Sequence, residues 1–403
     1  MSAFTIHNAR MVTSDGVREG ALSVADGRIA SFEDEGGEGV DARGKLLVPG
    51  LIDVGVFAVD KPAFHFGGIT RAALMPDQSP VLDLPSRVAY VAKSGKPDFW
   101  VHPLAAATRD LAGENLSEFA LMQAEGARGI ATGRSWIADS GVMLRVLRYA
   151  AMLDLPVIAH AEDAALVGDA VASDGELATR LGLPGAPSEA EAIAIARDAK
   201  LAEMAGARIH FRQVTTRAGL DAVRDAKARG VRVTAGVTPA HFMLSDLALA
   251  DFRSFMRLSP PLRSEDDRQA VQEALADGTI DMVSSGHDPR GPEEKRLPFA
   301  DAEPGMAGAE TLLALTLGLV RDEVIDLERA IALLTSGPAD LLGVEAGRLE
   351  VGMEADLALI DPEKPWIVQA DRMKALANNT PFDGQGVQGR VLRLWKGGAE
   401  ISL

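Results

Sequence analysis

The chain has no cysteine, which excludes disulfide staples and thiolate metal ligands. It also lacks a surplus of basic charge: 41 Lys and Arg against 58 Asp and Glu leave a formal net charge of −17. Nucleic acids and anionic membranes both select clustered Lys and Arg, so neither is an expected partner. Long hydrophobic runs are missing too. The most apolar stretch, 311–320, is about half of a membrane span and lies between Glu310 and Arg321. Residues 1–20 mix Asn8, Arg10, Asp15, Arg18 and Glu19 and show no apolar core of signal-peptide length, so a cytoplasmic location is expected.

What is present suffices for a large core. With 403 residues and 47% apolar content, the chain can build one barrel-sized domain and a smaller one. Residues 1–48 give short alternating segments broken by Asp15-Gly16 and Asp26-Gly27, which is hairpin chemistry. A similar pattern returns over 346–403, so the two ends are expected to form one composite β-sandwich. Between them, over 49–345, eight short apolar segments alternate with helical stretches: 51–56, 69–75, 98–103, 127–131, 156–159, 207–211, 231–235 and 280–284. Strands separated by helices in this way predict a parallel (β/α)8 TIM-type barrel, an α/β fold whose chemistry sits just past the strand ends.

Several ordered motifs carry a family resemblance. Pro49-Gly50-Leu51-Ile52-Asp53, Met75-Pro76-Asp77, His160-Ala161-Glu162-Asp163, Val237-Thr238-Pro239-Ala240-His241, Ser259-Pro260-Pro261-Leu262-Arg263 and Asn379-Thr380-Pro381-Phe382 follow one another in sequence. In this order they resemble dihydroorotase and the other cyclic amidohydrolases. The resemblance implies an amidohydrolase-type barrel, zinc held by His-x-His on the first strand and by later ligands, and hydrolysis of a cyclic amide.

The departures fall on those implied ligands. The first-strand pair is Gly55 and Phe57, the fourth-strand segment 129–135 offers no carboxylate, the sixth-strand ligand falls on Gln213, and the eighth-strand Asp falls on Gly286. Only His160 remains of the family's metal ligands, and one imidazole does not hold catalytic zinc, which takes about three protein ligands. The substrate anchors differ as well: Asp77, Ser259 and Arg290 stand where the resemblance implies Asn, Asn and His, and Val59 where it implies Arg. Other polar groups, His102, Glu162, Asp163, His287 and Asp288, are candidates for a rebuilt site. Between Phe57 and Gly67 the chain is too short for a loop and a three-turn helix, and Pro62 interrupts it. A thinly covered barrel face presenting Phe64 and Phe66 to a protein partner is therefore expected, with both rings tucked against the strands as the other option.

Two readings of function stand. One is a non-catalytic dihydroorotase-like chain, without catalytic residues or cofactor, acting as an assembly partner of aspartate carbamoyltransferase in pyrimidine biosynthesis within a homo- or hetero-oligomer, as the resemblance implies for such chains. The alternative is an active cyclic amidohydrolase with an atypical zinc site. A pocket that senses a small molecule is a third.

Overall fold

A computed structural model describes residues 3–35 and 38–403. All eight expected barrel strands are present, at Leu51–Val56, Ile69–Leu74, Trp100–Ala106, Gly129–Ala131, Val157–Ala159, Ile209–Phe211, Val233–Val237 and Met282–Val283. They pair in parallel in that order. The two outer strands meet through side chain and loop: the Asp53 carboxylate accepts the Ser285 N–H at 2.9 Å and the Ser285 hydroxyl, and the Phe57 N–H donates to the His287 carbonyl at 2.9 Å. Asp53 is fully buried, and burial pushes its carboxyl above the usual range.

Ile52, Val54, Ala73, Leu104, Ala131, Ile158 and Met282 form one cluster inside the barrel, closed below by Ala339, Leu341 and Leu342. The outer face of the strands packs on the surrounding helices in the largest core cluster. The apolar stretch 311–320 becomes the ten-residue helix Leu312–Arg321, buried along most of its length. No helix among the described residues is long and apolar enough to cross a membrane.

The chain ends join in one eight-stranded sheet. Its order is Ala399–Ile401, Gly386–Lys396, Leu357–Ile367, Leu46–Pro49, Phe4–Thr13, Gly16–Ala25 and Arg28–Ser31, with Glu38–Asp41 pairing Phe4–Thr13 in parallel. Ile6, Met11, Leu22, Leu47, Leu357 and Trp395 give this sheet a core of its own.

The segment after the first strand differs from expectation. Lys61–Phe66 is a helix of six residues, with Asp60 as N-cap and Pro62 in its first turn. Proline lacks only an N–H that the first turn leaves unpaired anyway, so Pro62 opens this helix and does not interrupt it. The helical period turns Ala63 and Phe64 inward, and Phe64 is fully buried, stacked on Phe99 with centroids 4.9 Å apart. Phe64 therefore offers nothing to a partner. Phe66 is half-buried, edge-on to Trp366 at 5.9 Å with the Arg390 guanidinium 3.8 Å from its ring centre.

Candidate functional site at the barrel mouth

The strand ends bring together residues far apart in sequence. Gly55 has φ +83°, and a Cβ there would lie 2.9 Å from Cδ of Arg212. Glycine at this point thus leaves the channel through which the Arg212 side chain runs from the end of the sixth strand. Its guanidinium carbon lies 5.1 Å from the centre of the Phe57 ring, and that of Arg134, from the loop after the fourth strand, lies 3.6 Å from the same ring. Both contacts are of cation–π type. Arg134 also donates to Asp288 at 2.6 Å through its side chain and to Asp77 at 2.9 Å through its backbone N–H. Phe57, Arg134, Arg212, Gln213, Ser259 and Gly286 line a cavity of about 100 Å³.

His160 is buried at the end of the fifth strand, with Nε2 at 3.4 Å from Glu162. Glu162 in turn accepts from Arg263 at 2.7 Å. Burial alone would raise the Glu162 carboxyl, but its hydrogen bond with His160 and the charge of Arg263 outweigh it and hold the group at about 2. Arg263 also donates to the Thr215 hydroxyl at 3.0 Å. The Thr215-Thr216 pair wraps the fully buried Glu191 carboxylate with both backbone N–H groups and both hydroxyls. These residues form a closed hydrogen-bonded network that fixes the loop after the sixth strand.

The remaining polar candidates do not assemble. His102 is the third residue of the third strand and does not line the cavity; burial first, and then the nearby Arg71, Arg128, Lys396 and Lys96, push its imidazole down to about 3. His287 is fully buried against the short helix, 3.3 Å from Asp60 and 5.3 Å from the Phe64 ring. Asp163 caps a helix through the Ala165 N–H at 2.9 Å. Arg290 bridges Asp288 at 3.3 Å and Glu294 at 2.8 Å. Gly286, with φ +62°, has no room for a side chain: a Cβ would lie 2.8 Å from Met306 and 2.9 Å from Thr238.

The donor set does not fit zinc. Among the described residues no three His, Asp or Glu side chains converge as metal ligands. The first-strand positions carry no donor, and the two guanidinium groups beside Phe57 would repel a dication in this low-dielectric mouth. Arg134 and Arg212 are the site residues that sequence reading missed. Each was visible as an arginine beside a position where the family resemblance implies a carboxylate or imidazole ligand and this sequence has none.

Comparison with known proteins agrees with this architecture. Residues 77–401 match the model of the Amidohydrolase family. A dihydroorotase of Syntrophotalea carbinolica is 40% identical over 390 residues, covering 92% of this chain and 91% of that protein. A dihydroorotase of Geobacter sp. (strain M21) is 37% identical over 400 residues, covering 96% and 92%. Among solved structures, the L-hydantoinase (dihydropyrimidinase) from Arthrobacter aurescens superposes with a TM-score of 0.89 over 100% of this chain and 96% of that one, at 24% identity, a likeness of fold.

Proposed function

Since the chain belongs to the amidohydrolase family and has dihydroorotases among its relatives, we propose that it is a dihydroorotase-like protein that does not hydrolyse cyclic amides and acts by association. The observation that carries the proposal is the guanidinium–aromatic stack of Arg212, Phe57 and Arg134 in the mouth where a catalytic metal would be held. Without a metal to lower it, the pKa of an attacking water stays at its high bulk value, far above neutral pH. The one retained imidazole, His160, is bound to a carboxylate already committed to Arg263. The cavity of about 100 Å³ is also small beside the roughly 300–1,000 Å³ of ordinary small-molecule sites.

The partner we propose is aspartate carbamoyltransferase, following the resemblance to non-catalytic dihydroorotase-like chains. The test has two arms. Purified protein supplied with zinc is expected to turn over neither dihydroorotate nor a hydantoin above a His160→Ala control; turnover above that control establishes the active-enzyme alternative and ends this reading. Co-expressed with aspartate carbamoyltransferase, the chain is expected to elute with it as one complex. Separate elution removes the partner and leaves the inactivity standing.

A further inference from the structure

Arg212 is a buried cation without a counter-ion. The residue is 5% exposed, and its side chain makes no hydrogen bond or ion pair with any described residue; its Nε is buried and unpartnered. The other arginines at the mouth differ: Arg134 and Arg290 pair with Asp288, and Arg263 pairs with Glu162. The carboxylates that act on Arg212 from a distance are Asp77, Asp288 and Glu162. Asp288 is engaged by two guanidinium groups and Glu162 by Arg263, while Asp77 accepts the Arg134 N–H through Oδ1, keeps its buried Oδ2 without a hydrogen-bond partner, and makes no ion pair with Arg212. Burial and the neighbouring Arg134 lower the Arg212 guanidinium to about 10, so it stays charged at neutral pH.

An unpaired buried charge is expensive, and a group of this kind in a folded protein calls for a partner. The guanidinium lines the cavity of about 100 Å³, enough for about three water molecules at ~30 Å³ each, or for one carboxylate or phosphate group. Gln213 lines the same cavity with its Oε1 buried and unpartnered. Turning the amide over brings two N–H donors to that point, since the two ends of a carboxamide are interchangeable in shape. The Arg134 guanidinium and the exposed rim residue Ser259 also line it, as does the Asp288 carboxylate, whose charge is met by Arg134 and Arg290. Fork-like guanidinium donors match the oxygens of a carboxylate or phosphate.

We propose that the barrel mouth binds a small oxyanion, a carboxylate or inorganic phosphate, with Arg212 as its counter-ion. The site stands whether or not the chain associates with a partner enzyme.

The full-length protein is titrated with acetate, malonate and inorganic phosphate against chloride at constant ionic strength, and followed by calorimetry and thermal unfolding. The expected result is a melting temperature that rises with the logarithm of the concentration of the carboxylates or of phosphate, and not of chloride, because a ligand stabilises the state that binds it. The arm that responds identifies the class of anion. Arg212→Met is expected to abolish the response. A response retained in Arg212→Met, or none in any arm for the unaltered protein, overturns the site. Should Arg212→Met fail to fold, Arg212→Lys is read in its place, since it keeps the charge and loses the fork. Affinity weaker by about tenfold or more supports the site, and unchanged affinity overturns it.

Discussion

Gly55 and Arg212 share one space, and the chemistry at the mouth follows from that sharing. An imidazole on the first strand at this point would stand in the path of the Arg212 side chain; glycine, at φ +83°, clears it. Gly55→Ala is therefore expected to lower stability by about 1–3 kcal/mol, through a crowded Cβ and a left-handed backbone. Adding Arg212→Ser is expected to recover the steric part and leave about 1 kcal/mol of backbone strain. Denaturant midpoints of the single and double variants measure this, and strictly additive losses would show that the two residues do not compete. The donor chemistry of Gly55, Phe57 and Gln213 was legible residue by residue, because glycine and phenylalanine offer no side-chain ligand and a carboxamide only a poor one wherever they point. The arginines were not legible as a pair, because Arg134 and Arg212 meet only over the ring of Phe57.

Among the elements, the short helix Lys61–Phe66 shows how a brief segment can still cover a barrel. Phe64 reaches inward to Phe99 and His287, while Phe66 lies sideways against Trp366 and Arg390. Phe64→Ala is expected to cost about 3–5 kcal/mol, the usual range for emptying a buried aromatic site. Phe66→Ala, which loses an edge contact and a cation–π contact, is expected to cost about 1 kcal/mol. Equal costs in chemical denaturation would contradict this division of roles. Chain length between Phe57 and Gly67 correctly excluded a three-turn helix. Pro62 misled because proline is permitted or forbidden according to the turn it occupies, and that is set by the Asp60 cap.

Across the whole molecule, the terminal sheet is fastened to the barrel by buried charge. Arg71, on the second barrel strand, pairs with Asp356 at 2.8 Å and with Glu354, while Lys396 pairs with Glu354 at 2.7 Å and Asp356 at 2.9 Å. Both cations also lie over the Trp100 ring, at 4.6 and 4.4 Å. Two cations balance two carboxylates, so removing one leaves a net buried charge. Arg71→Met is expected to lower stability by about 3–5 kcal/mol, read from denaturant unfolding. A loss near zero would mean that the apolar contacts between sheet and barrel suffice alone.

The sequence by itself determined the (β/α)8 plan and the pairing of the two chain ends, because strand periodicity is a local property, and it set which donor atoms positions 55, 57, 213 and 286 can offer. Only the tertiary structure decided that Phe64 is buried, that His102 and His287 stay out of the cavity lining, and that Arg134 and Arg212 converge on Phe57. Those outcomes depend on which layer of the barrel each strand residue reaches and on which distant side chain fills the adjoining space, and neither is carried by the residues nearby in the chain.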